Sequence, residues 1–387
     1  MNLERDLDLG THLGLGVGWR PELALAIDRR PDVGFVEILA ENVDPRRPLP
    51  APLRRLRERG VRIVVHSIGL SLGGAAPVDR RRLDRLARVA EWAGAVCVSD
   101  HVAFVRAGGR GTGHLLPVPR TEAALAVLCD NVAQARRVLP VPLALENIAT
   151  LFDWPGNTFD EPALLTRLTA ETGALLVLDV SNLYANARNL GFDGGAWLAR
   201  APLARIAYAH VGGGVARNGL WHDTHAHAVP PESLALLRQL RREAPLPGVL
   251  LERDDRFPPA AELDAELDAI AGAAELEVAP VALPSPAPPA PAPPAPASDR
   301  RALAVDQHAL VGALMAGEAV PRGFDARLLE AEAQMLAAKR LRAAGRAWPR
   351  LDLEGAHRAR FLAWARANPL AEADCGWEDG RRFRASL

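Results

Sequence analysis

Short apolar runs alternate with amphipathic segments over the first 278 residues. Eight runs are apolar enough to form buried strands: residues 13–19, 33–39, 61–67, 95–101, 142–148, 174–180, 205–211 and 248–254. The segments between them, such as 79–94, 121–139 and 231–244, repeat apolar residues at three-to-four spacing, which predicts helices. Eight strands alternating with helices predict an α/β fold, a (β/α)8 TIM barrel. An open doubly wound sheet is the alternative.

Proline and alanine dominate residues 279–298, which predicts a stiff spacer. At about 3.1 Å per residue it would reach roughly 50–60 Å. We therefore expect a barrel domain over 1–278, a linker over 279–298 and a second domain over 299–387. Helical periodicity near 301–316, 325–344 and 353–367 predicts that this second domain is small and all-α.

Composition narrows the classes of function. The formal net charge of −1 over 387 residues argues against a nucleic-acid binder. Cys97, Cys129 and Cys375 are far apart and form no CxxC motif, which predicts a reducing cytoplasm. The N-terminus lacks the apolar run of a signal peptide. The sequence also contains no stretch of about 18 apolar residues, so no membrane span is predicted.

Six consecutive predicted strands end on a residue that can bind a metal or carry a proton. In a parallel barrel the carboxyl ends of all strands lie on one face, where active sites form. A single polar residue at a strand end can simply cap the next helix. Six in a row predict a shared metal site, since burying so many charges without one is costly. These strands end at His66, Asp100 and His101, Glu146 and Asn147, Asp179, His210, and Glu252.

The segment 209–229 follows the seventh strand and contains four of the ten histidines of the chain. Asp223, His225 and His227 are two residues apart, so an extended backbone would place them on one side, facing the strand ends. His222 would then point away from the site.

The ligand types predict two or three divalent ions. Four clustered carboxylates would repel one another or take up protons without cations, and a shared carboxylate such as Glu146 would bridge the ions. Oxygen and imidazole ligands without a thiolate suit iron, manganese or zinc. The candidate ligands are His66, His101, Glu146, Asp179, His210, Asp223, His225 and Glu252. Asp100, Asn147, Asn182, His227 and Asp254 are candidates for further ligands or for supporting contacts.

Several motifs, in this order, resemble the multinuclear non-heme iron-dependent oxidases, the family that includes the oxidase of methanobactin biosynthesis. They are "HSIGLSLGG", "SDHVAF", "LENI", "LDVSNLYANARNLG", "AHVGG", "HDTHAH" and "LLERDD". The resemblance covers roughly residues 10–258. Two positions depart from the family pattern: Gly214 stands where a histidine is common, and Ala226 where an acidic residue is common.

The resemblance implies a barrel with two or three irons, in mixed Fe(II)/Fe(III) states, that uses O2 to modify cysteine in a ribosomally made peptide. It also implies that a separate protein can present the peptide. The ligand sets it implies are His66, His101 and Glu146 for one iron, Glu146, Asp179, His210 and Glu252 for the next, and Asp223 and His225, with Asn182 as a further member, for a third.

Two other classes of function remain open. One is a divalent-metal TIM-barrel hydrolase or isomerase, similar to endonuclease IV or xylose isomerase, which also gathers such residues at strand ends. The other is a non-catalytic metal-binding protein. For residues 299–387 two roles are equally compatible with the sequence. They would present the peptide, or dock a partner that does so, or they would serve stability or oligomerisation.

Overall fold

The computed structural model describes residues 12–276, 283–284, 294–353, 355–371 and 376–387. Its strands are β1 (Gly14–Gly18), β2 (Val33–Leu39), β3 (Arg62–His66), β4 (Cys97–His101), β5 (Ala103–Ala107), β6 (Arg110–Pro117), β7 (Leu143–Glu146), β8 (Leu175–Asp179), β9 (Ile206–Gly212), β10 (Gly214–Arg217), β11 (Leu220–Asp223) and β12 (Gly248–Glu252). Its helices are α1 (Ala24–Arg29), α2 (Ala51–Glu58), α3 (Arg80–Ala93), α4 (Glu122–Arg136), α5 (Glu161–Thr172), α6 (Val180–Leu190), α7 (Gly194–Leu198), α8 (Pro231–Glu243), α9 (Ala260–Ala274), α10 (Ala297–Ala316), α11 (Ala326–Ala347), α12 (Arg358–Ala367) and α13 (Gly376–Arg384).

Eight parallel strands close into a barrel in the order β1-β12-β9-β8-β7-β4-β3-β2. Each of the eight predicted runs forms one of these strands, so the predicted TIM barrel is confirmed and the open sheet was wrong. Two antiparallel hairpins, β5–β6 and β10–β11, extend from the carboxyl ends of β4 and β9. The second hairpin lies within residues 209–229, the segment that contains four of the ten histidines. Among the described residues, no helix is long and apolar enough to cross a membrane.

Local sequence explains where the elements begin and end. The strands are near-continuous apolar runs because parallel strands are covered on both faces. Asp79 accepts hydrogen bonds from the first backbone N–H groups of α3, and Gly94 ends that helix with a φ of 62°. In β1, a Cβ on Gly16 would lie 2.3 Å from the Phe35 ring, so glycine lets this ring fill the barrel interior.

The C-terminal region contains four described helices, α10 to α13, where three were predicted. The first begins at Ala297, within the predicted linker, and most of 279–298 lies outside the described residues. Helices α10 and α11 pack directly on the barrel region through an apolar cluster. Its buried members are Phe104, Leu116, Phe152, Trp154, Leu310, Val311, Leu314, Met315, Leu329, Leu336 and Leu370.

Buried polar contacts add to this interface. Gln307 on α10 donates to the carbonyl of Gly73 at 2.8 Å and accepts from the backbone N–H of Ala75 at 2.9 Å. Arg300 pairs with Asp130 on α4 at 2.6 Å. The two regions therefore share a core, while the domain limits given above stay a prediction.

Candidate metal centre

The six strand-end residues predicted as ligands meet inside the barrel at its carboxyl end. Each is at most 5% exposed. The alternation of the strands places them there, since side chains two residues apart on a strand face the same side. These residues are His66 on β3, His101 on β4, Glu146 on β7, Asp179 on β8, His210 on β9 and Glu252 on β12.

Glu146 lies at the centre of this cluster. Its Oε2 is 3.7 Å from His66 Nε2, 3.6 Å from His101 Nε2 and 3.4 Å from His210 Nδ1. These contacts form two groups that share Glu146, and within each group the potential ligand atoms lie within 4.8 Å of one another. One group is His66, His101 and Glu146, and the other is Glu146, Asp179, His210 and Glu252.

The cluster leaves buried polar atoms without hydrogen-bond partners. Glu146 Oε2, Asp179 Oδ2 and His210 Nδ1 are among them. An unpaired buried polar atom is costly, and native proteins avoid it except where a ligand completes the contact. The donor set of imidazole nitrogens and carboxylate oxygens, with these atoms facing a common point, fits divalent metal ions.

Neighbouring residues orient the imidazoles. His66 Nδ1 lies 2.8 Å from Ser99 Oγ, which leaves Nε2 facing Glu146. His210 Nε2 lies 3.1 Å from Glu37 Oε2, which leaves Nδ1 facing Glu146. A carboxylate or hydroxyl on the outer nitrogen of a histidine is the usual way to fix its orientation toward a metal.

Glu37 also belongs to this cluster, although it is not among the predicted ligands. It lies within β2 and not at the end of the strand, so the pattern of polar strand ends does not include it. Its carboxylate accepts a hydrogen bond of 2.7 Å from the Tyr208 hydroxyl, and it forms a third potential metal group with His66 and Glu252. The sequence contains one indication that Glu37 belongs to the site. It is a charged residue within an otherwise apolar strand, two positions after Phe35.

Burial controls the protonation of the carboxyl groups when no cation is bound. It raises the pKa of Glu146 to about 8 and that of Glu252 to about 7. Burial and the charge of Asp223 also raise the pKa of Asp179. Bound cations would take the place of these protons, as expected for a cluster of like charges.

The histidines divide into two kinds. Burial lowers the pKa of His66 to about 4 and that of His101 well below its usual value, so both are neutral and able to bind a metal. Burial also opposes the charged form of His210, but the charges of Glu37, Glu146 and other carboxylates outweigh it and raise its pKa.

Asp223 and His225 lie beside this cluster at the end of β11. His225 Nε2 contacts the Asp223 carboxylate, and its Nδ1 lies 3.2 Å from Glu252 Oε2 and 3.3 Å from Asp254 Oδ2. Arg20 pairs with the other oxygen of Asp254. The structure thus brings the last two predicted ligands within contact distance of the main groups.

The extended backbone expected from Asp223 to His227 is not present. Strand β11 ends at Asp223, and His225 has a φ of 50°. This turn directs His225 to the cluster, while His227 Nδ1 lies 2.9 Å from the Thr224 hydroxyl. His222 is half-buried on the hairpin.

The remaining candidates support the backbone around the site. Asp100 accepts hydrogen bonds from the N–H groups of His101 and Leu70, because neighbouring residues on a strand face opposite sides. Asn147 donates to the carbonyl of Asp179 at 2.9 Å and accepts from its N–H at 2.9 Å. Asn182 donates to the Asn147 carbonyl at 3.0 Å.

Gly214 is explained by its surroundings. A Cβ at this position would lie 2.4 Å from Nε1 of Trp221, so the hairpin as folded has no room for a histidine here. Cys97 lies deeper in the barrel among apolar residues, and burial raises the pKa of its thiol to about 12. It is therefore a core residue.

Solved structures similar to the chain include L-ribulose 3-epimerase, with 15% identity and a TM-score of 0.44 over 70% of this chain and 98% of that one. Endonuclease IV from Thermus thermophilus has 21% identity and a TM-score of 0.44 over 68% of this chain and 99% of that one. At these values neither structure indicates what this chain does.

Closer similarity is found in sequence. A UPF0276 protein of Streptomyces avermitilis is 44% identical over 95% of this chain and 86% of its own length. A UPF0276 protein of Bordetella bronchiseptica is 39% identical over 66% of this chain and 91% of its own length.

Two family models match the chain. The first, described as the RiPP precursor modification enzyme MbnB/TglH/ChrH, matches residues 14–275, where RiPP denotes a ribosomally made and modified peptide. The second, described as the SCO6045-like C-terminal domain, matches residues 304–387. The resemblance noted in the sequence is therefore confirmed, and the chain belongs to the MbnB/TglH/ChrH family of RiPP precursor modification enzymes.

Proposed function

We propose that this enzyme is an iron-dependent oxidase that uses O2 to modify a cysteine residue of its peptide substrate. The observation that carries the proposal is the pair of buried ligand groups joined at Glu146, whose inward atoms lack partners. Two adjoining groups suit a reaction that must hold a substrate thiolate and reduce O2 at neighbouring positions.

Two sets of ligand residues, which share Glu146, would hold two of the ions. Iron bound there would supply Lewis acidity toward a thiolate and electrons to O2. Asp223 and His225 would hold a further ion, with Glu252 next to them at 3.2 Å from His225 Nδ1. The sets are His66, His101 and Glu146 for the first ion and Glu146, Asp179, His210 and Glu252 for the second.

Neighbouring residues orient the candidate ligands of this site. Glu37 orients His210, and Ser99 orients His66, so each imidazole presents one nitrogen to the interior. The apolar side chains below the cluster fill the barrel interior, so the peptide would enter from the carboxyl end of the strands. There, Asp223, His225 and His222 are partly exposed, which is where a substrate side chain would enter.

Metal analysis and O2 consumption test this proposal. The protein is purified without oxygen and its metals are counted. It is then mixed with O2 and a short cysteine-containing peptide encoded beside its gene. We expect two or three irons per chain, O2 uptake matched to a change in peptide mass, and no reaction when that cysteine is replaced by serine. Zinc as the resident metal, with hydrolysis and no O2 uptake, would favour the hydrolase instead. Metal binding unaffected by thiols, with no turnover, would favour a non-catalytic protein.

For the C-terminal region we propose a role in holding the peptide within the same chain. Its direct packing on the barrel supports this role. Deleting residues 279–387 would expose Phe104, Leu116 and Trp154, which pack against α10 and α11. Peptide binding is therefore better tested with point variants in the full chain.

A further inference from the structure

Lys339 is the only lysine in the chain, and it lies on a C-terminal helix that packs on the barrel region. It belongs to α11, and its Nζ is 2.8 Å from Nδ1 and 3.0 Å from Nε2 of His114 on β6. The β5–β6 hairpin follows His101, so His114 stands at the same end of the barrel as the candidate ligands. Burial lowers the pKa of Lys339 to about 8, and the negative charges of Glu332, Asp223 and Asp254 offset part of this effect.

The carboxyl group whose charge acts most strongly on Lys339 is the buried Glu332 of the same helix, and no ion pair joins the two among the described residues. Within the part of the chain that the structure describes, no carboxylate oxygen is paired with Lys339 within 4.0 Å. Burial and the charge of Lys339 lower the pKa of His114 well below its usual value, so the imidazole is neutral. Nζ is nearly equidistant from the two ring nitrogens and is thus aligned with neither lone pair, which leaves its N–H donors available.

Packing holds this lysine in place without an ion pair. Leu336 on the same helix lies in the apolar cluster shared with the barrel. The next residue, Arg340, donates to Asp379 at 2.9 Å and to the carbonyl of Ala365 at 2.8 Å. Lys339 itself is half-buried, so solvent reaches it. A charged group that is held rigidly, is partly desolvated and has no carboxylate oxygen within 4.0 Å among the described residues is suited to binding an anion.

We propose that Lys339, supported by His114, binds a carboxylate of the peptide substrate at the entrance to the metal centre and so positions the peptide relative to the metal ions. The inference rests on the proposed function for the identity of the substrate. The carboxylate is the C-terminus of the peptide or the side chain of an acidic residue, since both present the same group to an ammonium ion. Lys339 is a positioning residue in this scheme.

A single-residue NMR probe tests the binding directly. Protein labelled at Cε of lysine gives one lysine side-chain resonance, since Lys339 is the only lysine. The full chain is loaded with Zn2+, which is diamagnetic, and titrated with N-acetyl-L-cysteine or with its amide. We expect the acid to shift the resonance at saturation and to bind about tenfold more tightly than the amide. Equal affinity of the two compounds would overturn the proposal.

Variants separate charge from structure. In K339M we expect the preference for the acid to disappear while the affinity for the amide stays the same, as measured by calorimetry. K339R should restore most of the preference. The control is R327M, which removes a charge from an exposed position of the same helix, roughly 18 Å away. Retention of the preference in K339M would contradict the proposal. If K339M does not fold, the wild-type resonance decides alone.

A thiol-free pair distinguishes this inference from the proposed function. If neither cysteine compound binds, thiol recognition has failed, and N-acetyl-L-alanine and its amide are then compared at the same resonance. A shift with the acid alone would support the role of Lys339 without the oxidase, and no shift with either would end it. A comparison of three peptides identifies the source of the carboxylate, since the peptide that carries it in the right place should bind most tightly. The peptides are Ac-Asp-Cys-NH2, Ac-Cys-Asp-NH2 and Ac-Cys-Ala-OH.

Discussion

The two ends of the barrel interior are built from the same strands but do different work. Toward the amino ends of the strands, the inward side chains form an apolar cluster. One step further along each strand, they form the candidate metal centre. The step is two residues, the repeat of a strand. Six strands show it, in the pairs Phe35–Glu37, Val64–His66, Ala144–Glu146, Val177–Asp179, Tyr208–His210 and Leu250–Glu252.

The difference lies in what completes each layer. In the apolar layer the side chains satisfy one another by packing, as at Phe35 and Tyr208, whose rings are 5.5 Å apart. In the polar layer, Glu146 and Asp179 each keep a buried oxygen without a hydrogen-bond partner. One layer is therefore complete by packing alone, whereas the other keeps buried oxygens that a bound cation would complete.

The largest expected effect comes from Glu146→Gln, which changes the polar layer alone. Because Glu146 belongs to both ligand groups, we expect loss of at least one metal ion per chain and a fall in activity of about 100-fold or more. Metal analysis and single-turnover kinetics measure these changes. Glu161→Gln is the matched control, since burial raises the pKa of Glu161 to about 7 outside the metal centre. Unchanged metal content in E146Q would break the comparison.

Leu250→Ala tests the apolar layer in the opposite way. Leu250 is 0% exposed, and its truncation is expected to lower the free energy of unfolding by about 2–5 kcal/mol. Metal content per folded chain should stay the same. Denaturant unfolding with metal analysis checks both, and Leu25→Ala, at a position 62% exposed, serves as the control. Loss of metal from folded L250A would show that the layers are not separable.

Glu37→Gln probes the link between the layers. Glu37 is bonded to Tyr208 below and to His210 above, so its loss should weaken metal affinity by about 10- to 100-fold while the number of sites is kept. Competition with a chelator measures the affinity. Glu41→Gln, which removes the charge of a carboxylate that accepts from the Ile68 N–H, should leave the metal affinity unchanged. Unaltered affinity in E37Q would limit Glu37 to a structural role.

The smallest effect is a pH dependence of metal stabilisation. Burial raises the pKa of Glu146 to about 8 and of Glu252 to about 7 from the usual 4.5, so without metal the free energy of unfolding falls as pH rises through this window. Metal needs the ionised carboxylates, so the rise in Tm on adding metal should grow from pH 5 to pH 8. E146Q should flatten this trend. A rise in Tm that is the same at every pH would show that the carboxylates are not the ligands.

Most of the barrel and of the candidate ligand set follows from local patterns. The apolar runs predicted all eight strands, and their last residues include His66, Glu146 and Glu252, because a parallel barrel collects strand ends at one face. Glu37 was missed because its strand continues past it to Leu39. Only barrel closure brings it against His210 at 3.1 Å.

The sequence by itself determined the strands, the alternation that turns side chains inward, and the residue types that meet there, since these depend on neighbours along the chain. Tertiary structure alone decided the turn that brings His225 to the cluster, the packing of α10 and α11 on the barrel, and the contact between Lys339 and His114. Those features join residues far apart in the chain, and no local pattern encodes which distant surfaces will fit together and exclude water.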